Sequence, residues 1–229
     1  RKINIDLLYM KILTLLFLII FLIYNSLKFG EHFENKKKII IIGNGPSVLK
    51  NKIGNKIDKF DKVVRFNTFK NDSQFSDFVG TKTDFWFINA KNIRTRSPEI
   101  IKMMNNIDCE KIYIEQNPYD PKKKLLNYFP ELKENNKVEF CDIDLFNEIQ
   151  NEHFNPKGMN PHPSLGLQGI NLLANKYPEY EIYIIGFDSF NTNKIHYMDK
   201  MAVTDTNVKH NLKKEIKFLE HLVKKYNIK

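Results

Sequence analysis

The chain has 229 residues, with 36 Lys and Arg against 27 Asp and Glu, 42% apolar residues and two cysteines. That length holds one domain of moderate size plus an appendage, and the ordinary apolar content calls for a real core from about Lys36 onward. The net charge of +9 sits on scattered lysines without interleaved aromatic residues, in a composition crowded with Lys, Asn and Ile, so nucleic acid is excluded as a partner. Cys109 and Cys141 lack C-x-x-C spacing and a neighbouring His pair, which excludes a zinc site and a thioredoxin-like motif. Whether they pair with each other is left open.

In chain order, Leu7 to Leu27 comes first, an apolar run whose only charge is Lys11. As a helix it would rise roughly 30 Å, enough to span a bilayer. Tyr24-Asn25-Ser26-Leu27-Lys28 makes a poor cleavage site, so the run reads as an uncleaved N-terminal anchor through which the protein meets a membrane. Residues 1–28 form that anchor, 29–38 a linker and 39–229 the main domain. The first residue is Arg1 rather than Met, which leaves open a fragment or a start at Met10.

Beyond the linker, strand and helix patterns alternate. Strands are expected at Ile39–Ile42, Lys62–Phe66, Asp84–Ile88, Lys111–Glu115, Val138–Phe140 and Glu181–Ile185. Helices are expected near Pro98–Asn105, Pro121–Tyr128, Ser164–Asn175 and Val208–Tyr226. This alternation predicts an α/β fold, a mostly parallel sheet with helices on both faces, and ligands bind such sheets at the carboxyl ends of the strands.

Four stretches carry chemistry. The first begins at Ile39–Ile42, a buried parallel strand that breaks into Gly43-Asn44-Gly45-Pro46-Ser47. A tight turn of this kind exposes backbone N–H groups that suit a phosphate. It continues through Asp58, Asp61, Val63, Arg65 and Asn67 to Val79-Gly80-Thr81-Lys82-Thr83. Arg65 and Asn67 are expected to emerge near the carboxyl end of Val63–Phe66 beside Asn44, where two amides suit a base, a ribose and a phosphate oxygen; Arg65 reads equally as an ion-pair partner of Asp58 or Asp61. The second stretch is Pro161-His162-Pro163-Ser164-Leu165-Gly166, with Ser164 as the helix N-cap, leading to Ile184-Ile185-Gly186-Phe187. His162 reads as a loop residue. The third is His196-Tyr197-Met198-Asp199. The fourth is His210-x4-Glu215, at the start of a helix whose apolar stripe is read as Leu212, Ile216, Leu219 and Val223. A histidine at a helix N-terminus stays neutral and can accept a proton. Asn71-Asp72-Ser73 is an N-glycosylation sequon, relevant only in a lumenal domain.

These four stretches, in this order, resemble the four sialylmotifs (large, small, third and very small) of the eukaryotic sialyltransferases, and cover Ile39 to Glu215. The glycine turn and the short length are also similar to the bacterial sialyltransferases, which share the fold but lack this set of four. The resemblance implies a Rossmann-like, GT-A-like sheet and a metal-independent, inverting transfer of sialic acid from CMP-sialic acid to a hydroxyl of a glycoprotein or glycolipid glycan, with no cofactor. It implies donor contacts from Gly43, Asn44, Gly45, Asn67, Ser164, Leu165, Gly166 and Tyr197. It makes His196 the group at the departing phosphate and His210 the general base. A signal-anchor in a Golgi-like membrane follows from the family topology. This chain departs from the family at Ile39 and Tyr177, where the family has a disulfide, at Leu165, which replaces a small hydroxyl residue, and at Pro46 in the first turn. Rival readings are a related CMP-sugar donor such as a Kdo-type acid, a non-catalytic nucleotide- or glycan-binding membrane protein, and a dinucleotide oxidoreductase, against which the missing G-x-G-x-x-G argues.

Overall fold

The computed structural model describes residues 16, 18–21, 36–117, 121–154, 162–188, 196–198 and 211–229. The chain divides into two units, Arg1–Lys36 and Lys37–Lys229. In the first unit, Leu16 and residues 18–21 are helical and exposed. Among the described residues no helix is long and apolar enough to cross a membrane; the rest of the expected anchor lies outside them.

Six β-branched and aromatic runs build the sheet of the second unit: β1 (Lys38–Ile42), β2 (Lys62–Phe66), β3 (Phe85–Ile88), β4 (Lys111–Ile114), β5 (Val138–Phe140) and β6 (Glu181–Ile185). Their order is β5-β4-β3-β2-β1-β6, and every neighbouring pair is parallel. The expected mostly parallel, Rossmann-like sheet is what forms. Successive strands step one way from β1 to β5, then the chain returns to place β6 on the other side of β1. That reversal opens a crevice at the carboxyl ends of β1 and β6.

Parallel strands are apolar on both faces because helices cover both. Ile39, Ile41, Val64, Phe66, Phe85, Phe87 and Tyr113 face α8 (Leu165–Lys176) and α9 (Leu212–Tyr226). On the opposite face, Ile40, Ile42 and Val63 pack with Val48 of the 3₁₀ turn Pro46–Lys50, Ile57 of α1 (Gly54–Ile57) and Val79 of α2 (Ser76–Val79). Further along that face, Trp86, Ile88, Ile112 and Ile114 pack against α3 (Ala90–Thr95), α4 (Ser97–Asn106), α5 (Lys122–Tyr128) and α6 (Glu131–Glu134). A seventh helix, α7 (Ile143–Ile149), runs into a π turn, Gln150–Phe154.

Cys109 and Cys141 are free thiols, and they sit in the cores of opposite sheet faces. Ile39 and Tyr177 both belong to the α8–α9 core, where Tyr177 stacks on Phe85 at 5.5 Å. Apolar packing therefore occupies the two positions at which the resemblance places a disulfide.

The expected stripe of α9 needs correction. Glu215, Phe218 and Leu222 are its buried residues, flanked by Leu219 and Val223, while Leu212 and Ile216 are 36% and 37% exposed. The helix is turned so that the Glu215 carboxyl reaches α8, which an apolar count does not foresee.

Beyond the ends of β1 and β6 the two backbones stay in contact. Gly43 N donates to Ile185 O (2.8 Å) and Gly45 N to Gly186 O (2.9 Å). Gly186 has φ +72°, and a Cβ there would lie 2.5 Å from both Gly43 O and Val48 Cγ1. Gly186→Ala is expected to lower stability by about 3 kcal/mol through backbone strain and overpacking, read as a lower urea midpoint.

Candidate active site

The glycine turn is organised by Asn44. Its Nδ2 donates to Phe66 O (3.0 Å) and Thr68 O (3.2 Å), tying the end of β2 to the turn, and its carbonyl accepts from Tyr197 N (2.8 Å). Pro46 opens the 3₁₀ turn, a position where its fixed φ fits and no N–H is needed. Asp188, just past β6, accepts from Ser47 N (2.8 Å) and from the Ser47 hydroxyl, so the turn is clasped to the end of β6.

Asn67 follows β2 with φ +49°, a left-handed conformation that asparagine tolerates better than most residues. Its N–H donates to Phe87 O (2.7 Å), its carbonyl accepts from Trp86 Nε1 (2.7 Å) and its Oδ1 accepts from Asn89 N (3.1 Å). Asn89 in turn caps α3 by accepting from Asn92 N (2.7 Å).

Arg65 points to the opposite sheet face and is 1% exposed. It makes no ion pair with Asp58 or Asp61. Instead its guanidinium donates to Val79 O (2.7 Å), Gly80 O (3.2 Å), Lys82 O and Thr83 Oγ1 (3.0 Å). Burial lowers its pKa to about 10. Asp58 holds the same loop by accepting from Thr81 N and Lys82 N. The Val79–Thr83 stretch is thus a clasp around a buried arginine.

Ser164 occupies the N-cap position of α8, but its hydroxyl caps nothing. It donates to Glu215 Oε2 (2.7 Å), while Ser164 N donates to Glu215 Oε1 (2.8 Å). A carboxyl here lies at the positive end of the helix. Glu215 is 4% exposed, and burial pushes its pKa up to about 7 against the opposing pull of the two Ser164 donors. One turn along α8, Gln168 Nε2 donates to Glu115 Oε1 (2.8 Å) and Pro163 O (3.0 Å).

One cleft gathers these parts. Gly43, Asn44, Gly45 and Asn67 line it from the strand ends, and Ser164, Leu165 and Gly166 from the start of α8. His196, exposed, also lines it. Tyr197 does not: it is buried beneath the turn, its hydroxyl accepting from Lys70 N (2.8 Å) and donating to Lys70 O, its ring edge-on to Phe75. That placement makes Tyr197 a strut. His210 lies outside the described residues. The cleft adds the polar residues Asn89, Glu115, His162, Asp188 and Glu215, which the motifs did not nominate as site residues. Asn89 and Glu115 directly follow β3 and β4, and Asp188 closely follows β6, so the rule that ligands sit at strand carboxyl ends was the signal for them.

The sequence profile of glycosyltransferase family 29 (sialyltransferase) matches residues 9–227. Over 84 residues the chain is 30% identical to a sialyltransferase-like protein of Arabidopsis thaliana, a match covering 37% of this chain and 17% of that relative's length. Among solved structures, a mammalian sialyltransferase in complex with Gal-beta-1-3GalNAc-ortho-nitrophenol is similar with a TM-score of 0.58 at 16% identity, over 84% of this chain and 68% of that one. The sialyltransferase CstII of Campylobacter jejuni, in complex with the substrate analogue CMP-3FNeuAc, reaches a TM-score of 0.60 at 20% identity, over 84% and 80% of the two chains. At these identities the structures share the fold.

A carboxyl whose folded pKa is raised binds more protons folded than unfolded, so its contribution to stability is greatest below its ordinary value of 4.5 and is lost as pH rises toward 7. Comparing urea unfolding at pH 5 and pH 7, the wild type is expected to lose about 2 kcal/mol that the Glu215→Gln variant does not lose.

Proposed function

The chain belongs to glycosyltransferase family 29, the sialyltransferases, and from that premise we propose that it transfers sialic acid from CMP-sialic acid to a hydroxyl of a glycan. The observation that carries this reading is that one cleft collects the Gly43–Gly45 turn, Asn67 and the Ser164–Gly166 helix start, three sites far apart in the chain. Each brings a group suited to a nucleotide monophosphate. The side-chain amide of Asn67 flanks the turn, and the start of α8 brings the N–H groups that follow Ser164, whose own N–H and hydroxyl are taken by Glu215, with the positive end of the helix dipole for the phosphate.

The transfer is a direct displacement. The acceptor oxygen forms a bond to the anomeric carbon as the bond to the CMP phosphate oxygen breaks, which inverts configuration, and CMP leaves with the electron pair. His210 takes the acceptor proton, the role the sialylmotif resemblance implies for it, and His196 at the cleft donates a hydrogen bond to the departing phosphate. In this reading side chains and the helix dipole supply the positive potential, without a metal or cofactor. The apolar run Leu7–Leu27 serves as a single-pass N-terminal anchor, with the catalytic domain in a Golgi-like lumen.

Leu165, 7% exposed and lining the cleft, supplies no hydroxyl where the family usually has one. This favours, as a second reading, a related CMP-sugar of a different acid, such as a Kdo-type donor; turnover compared across CMP-sugars separates the two.

The test is calorimetric titration of the full chain with CMP, followed by transfer assays. Asn67→Gly keeps the left-handed backbone and removes the amide, and is expected to weaken CMP roughly 10- to 100-fold, the effect of one hydrogen bond to a charged group. His210→Ala is expected to bind CMP as the wild type does and to lose about 10²- to 10⁴-fold in turnover. A folded wild type that binds CMP but transfers nothing would make the protein a binding module; one that does not bind CMP would sink the donor site.

A further inference from the structure

The start of α8, where an anionic ligand is favoured, already holds a carboxyl of the protein's own. Glu215, in the first turn of α9, lines the cleft and is 4% exposed. Its Oε1 accepts from Ser164 N (2.8 Å) and its Oε2 from the Ser164 hydroxyl (2.7 Å). A phosphate or carboxylate arriving at this helix start meets a carboxyl that occupies both Ser164 donors. Two anions at one helix end repel each other, the more strongly in a site shielded from water. Among the described residues that line the cleft there is no lysine or arginine to offset them.

The direction of one hydroxyl decides what this helix start offers. An ionised carboxylate only accepts hydrogen bonds, so beside ionised Glu215 the Ser164 hydroxyl donates to Oε2 and keeps only lone pairs for a ligand. A protonated carboxyl can donate. With the proton on Oε2, Glu215 donates to Ser164 Oγ over the same 2.7 Å, while Oε1 still accepts from Ser164 N. The serine proton is then free to turn into the cleft. One proton taken from solvent thus removes the competing charge and converts Ser164 from an acceptor into a donor. Burial brings this exchange into reach by pushing the Glu215 pKa up to about 7. The other titratable groups lining the cleft are His162, His196, Glu115 and Asp188. On α9 the nearest charges are Lys213 and Lys217, exposed, and Lys214, half-buried. α8 bears no charge before Lys176, and Glu152 and His153 of the π turn lie farther along α9, where His153 meets His221.

Resting on the reading of the cleft as a CMP-sugar site, we propose that Glu215 is a positioning residue that takes up a proton as the donor binds and thereby turns the Ser164 hydroxyl toward an anionic group of the donor, its phosphate or its sugar carboxylate. The protonated form of the protein binds the CMP-sugar well, and the ionised form binds it weakly.

The probe is a non-transferable 3-fluoro analogue of CMP-sialic acid, which carries no group that titrates between pH 6 and pH 8, added to the full chain in a calorimeter. From two buffers of different ionisation heat at pH 7, the wild type is expected to take up about half a proton per analogue bound, the ionised fraction of a carboxyl with a pKa of about 7. Its affinity is expected to fall about tenfold from pH 6 to pH 8, as the protonated fraction does. Glu215→Gln fixes the proposed arrangement, its amide N–H on Ser164 Oγ and its amide oxygen on Ser164 N. That variant is expected to bind the analogue at every pH within about twofold of the wild type at pH 6, without proton uptake. Ser164→Ala is expected to weaken the analogue about tenfold at pH 6 and little at pH 8, where the wild-type hydroxyl faces Glu215. The inference is overturned if wild-type affinity does not change between pH 6 and pH 8, or if Ser164→Ala weakens the analogue equally at both. It is also overturned if Glu215→Gln binds weakly at every pH, as the loss of a purely structural link would make it. Proton uptake that persists in Glu215→Gln overturns it as well, by assigning the proton to His162, His196 or His210. In each of these cases the donor site stands. If the wild type binds neither CMP nor the analogue, the donor site and this inference fall together.

Discussion

The close approach of β1 and β6 beyond their last paired residues is the constraint on which the site depends. Main-chain hydrogen bonds continue through Gly43 and Gly45 to Ile185 and Gly186, so the two strand ends remain joined at the floor of the crevice that the reversal of strand order opens. The approach leaves no room for a Cβ at Gly43, which would sit 2.3 Å from Gly186 O. Because the two strands stay together, Asn44 is delivered to the end of β2, where it holds Phe66 and Thr68, and Asp188 is delivered to the 3₁₀ turn, where it holds Ser47. A local turn becomes a rigid floor shared by three strands.

The wall facing that floor is held by a different interaction, the Glu215 carboxyl on both donors of Ser164. This pair joins the start of α8 to the first turn of α9 and sets the rotation of α9. Hydrogen bonds from Tyr226 to Asn171 and Asn175 lock the far end of the same helix pair. Burial makes the Glu215 carboxyl costly to ionise, so the link is strong in geometry and weak as a source of stability near neutral pH. Its value lies in position: it holds the first turn of α9 against the start of α8, at the edge of the cleft.

Much of this was legible in the residues. All six strands were, because Val, Ile and aromatic runs bounded by turn residues identify buried parallel strands whatever their partners. The longer helices were as well. The short ones, α1, α2, α3, α6 and α7, were not: four to seven residues carry too few apolar positions to show a period, and α3 and α7 are marked mainly by the caps Asn89 and Asp142. Arg65 and Tyr197 show a second limit. Both stand inside motifs that point to a nucleotide, yet one is caged by carbonyls on the far sheet face and the other is a buried strut. A motif records residues that are needed together without saying which touch a ligand and which hold the others in place.

The sequence by itself determined the parallel α/β sheet, the family and the segments that converge on the cleft, because strand periodicity, glycine turns and motif order are local properties of the chain. Only the tertiary structure decided which side chains face that cleft. The face a strand residue presents and the rotation of a packed helix are set by long-range partners: the carbonyl cage of Val79 to Lys82 for Arg65, Ser164 for Glu215, and Gln168 for Glu115. Those partners lie from 14 to 53 residues away along the chain, beyond the reach of any local pattern, and burial makes each pairing obligatory once the sheet has formed.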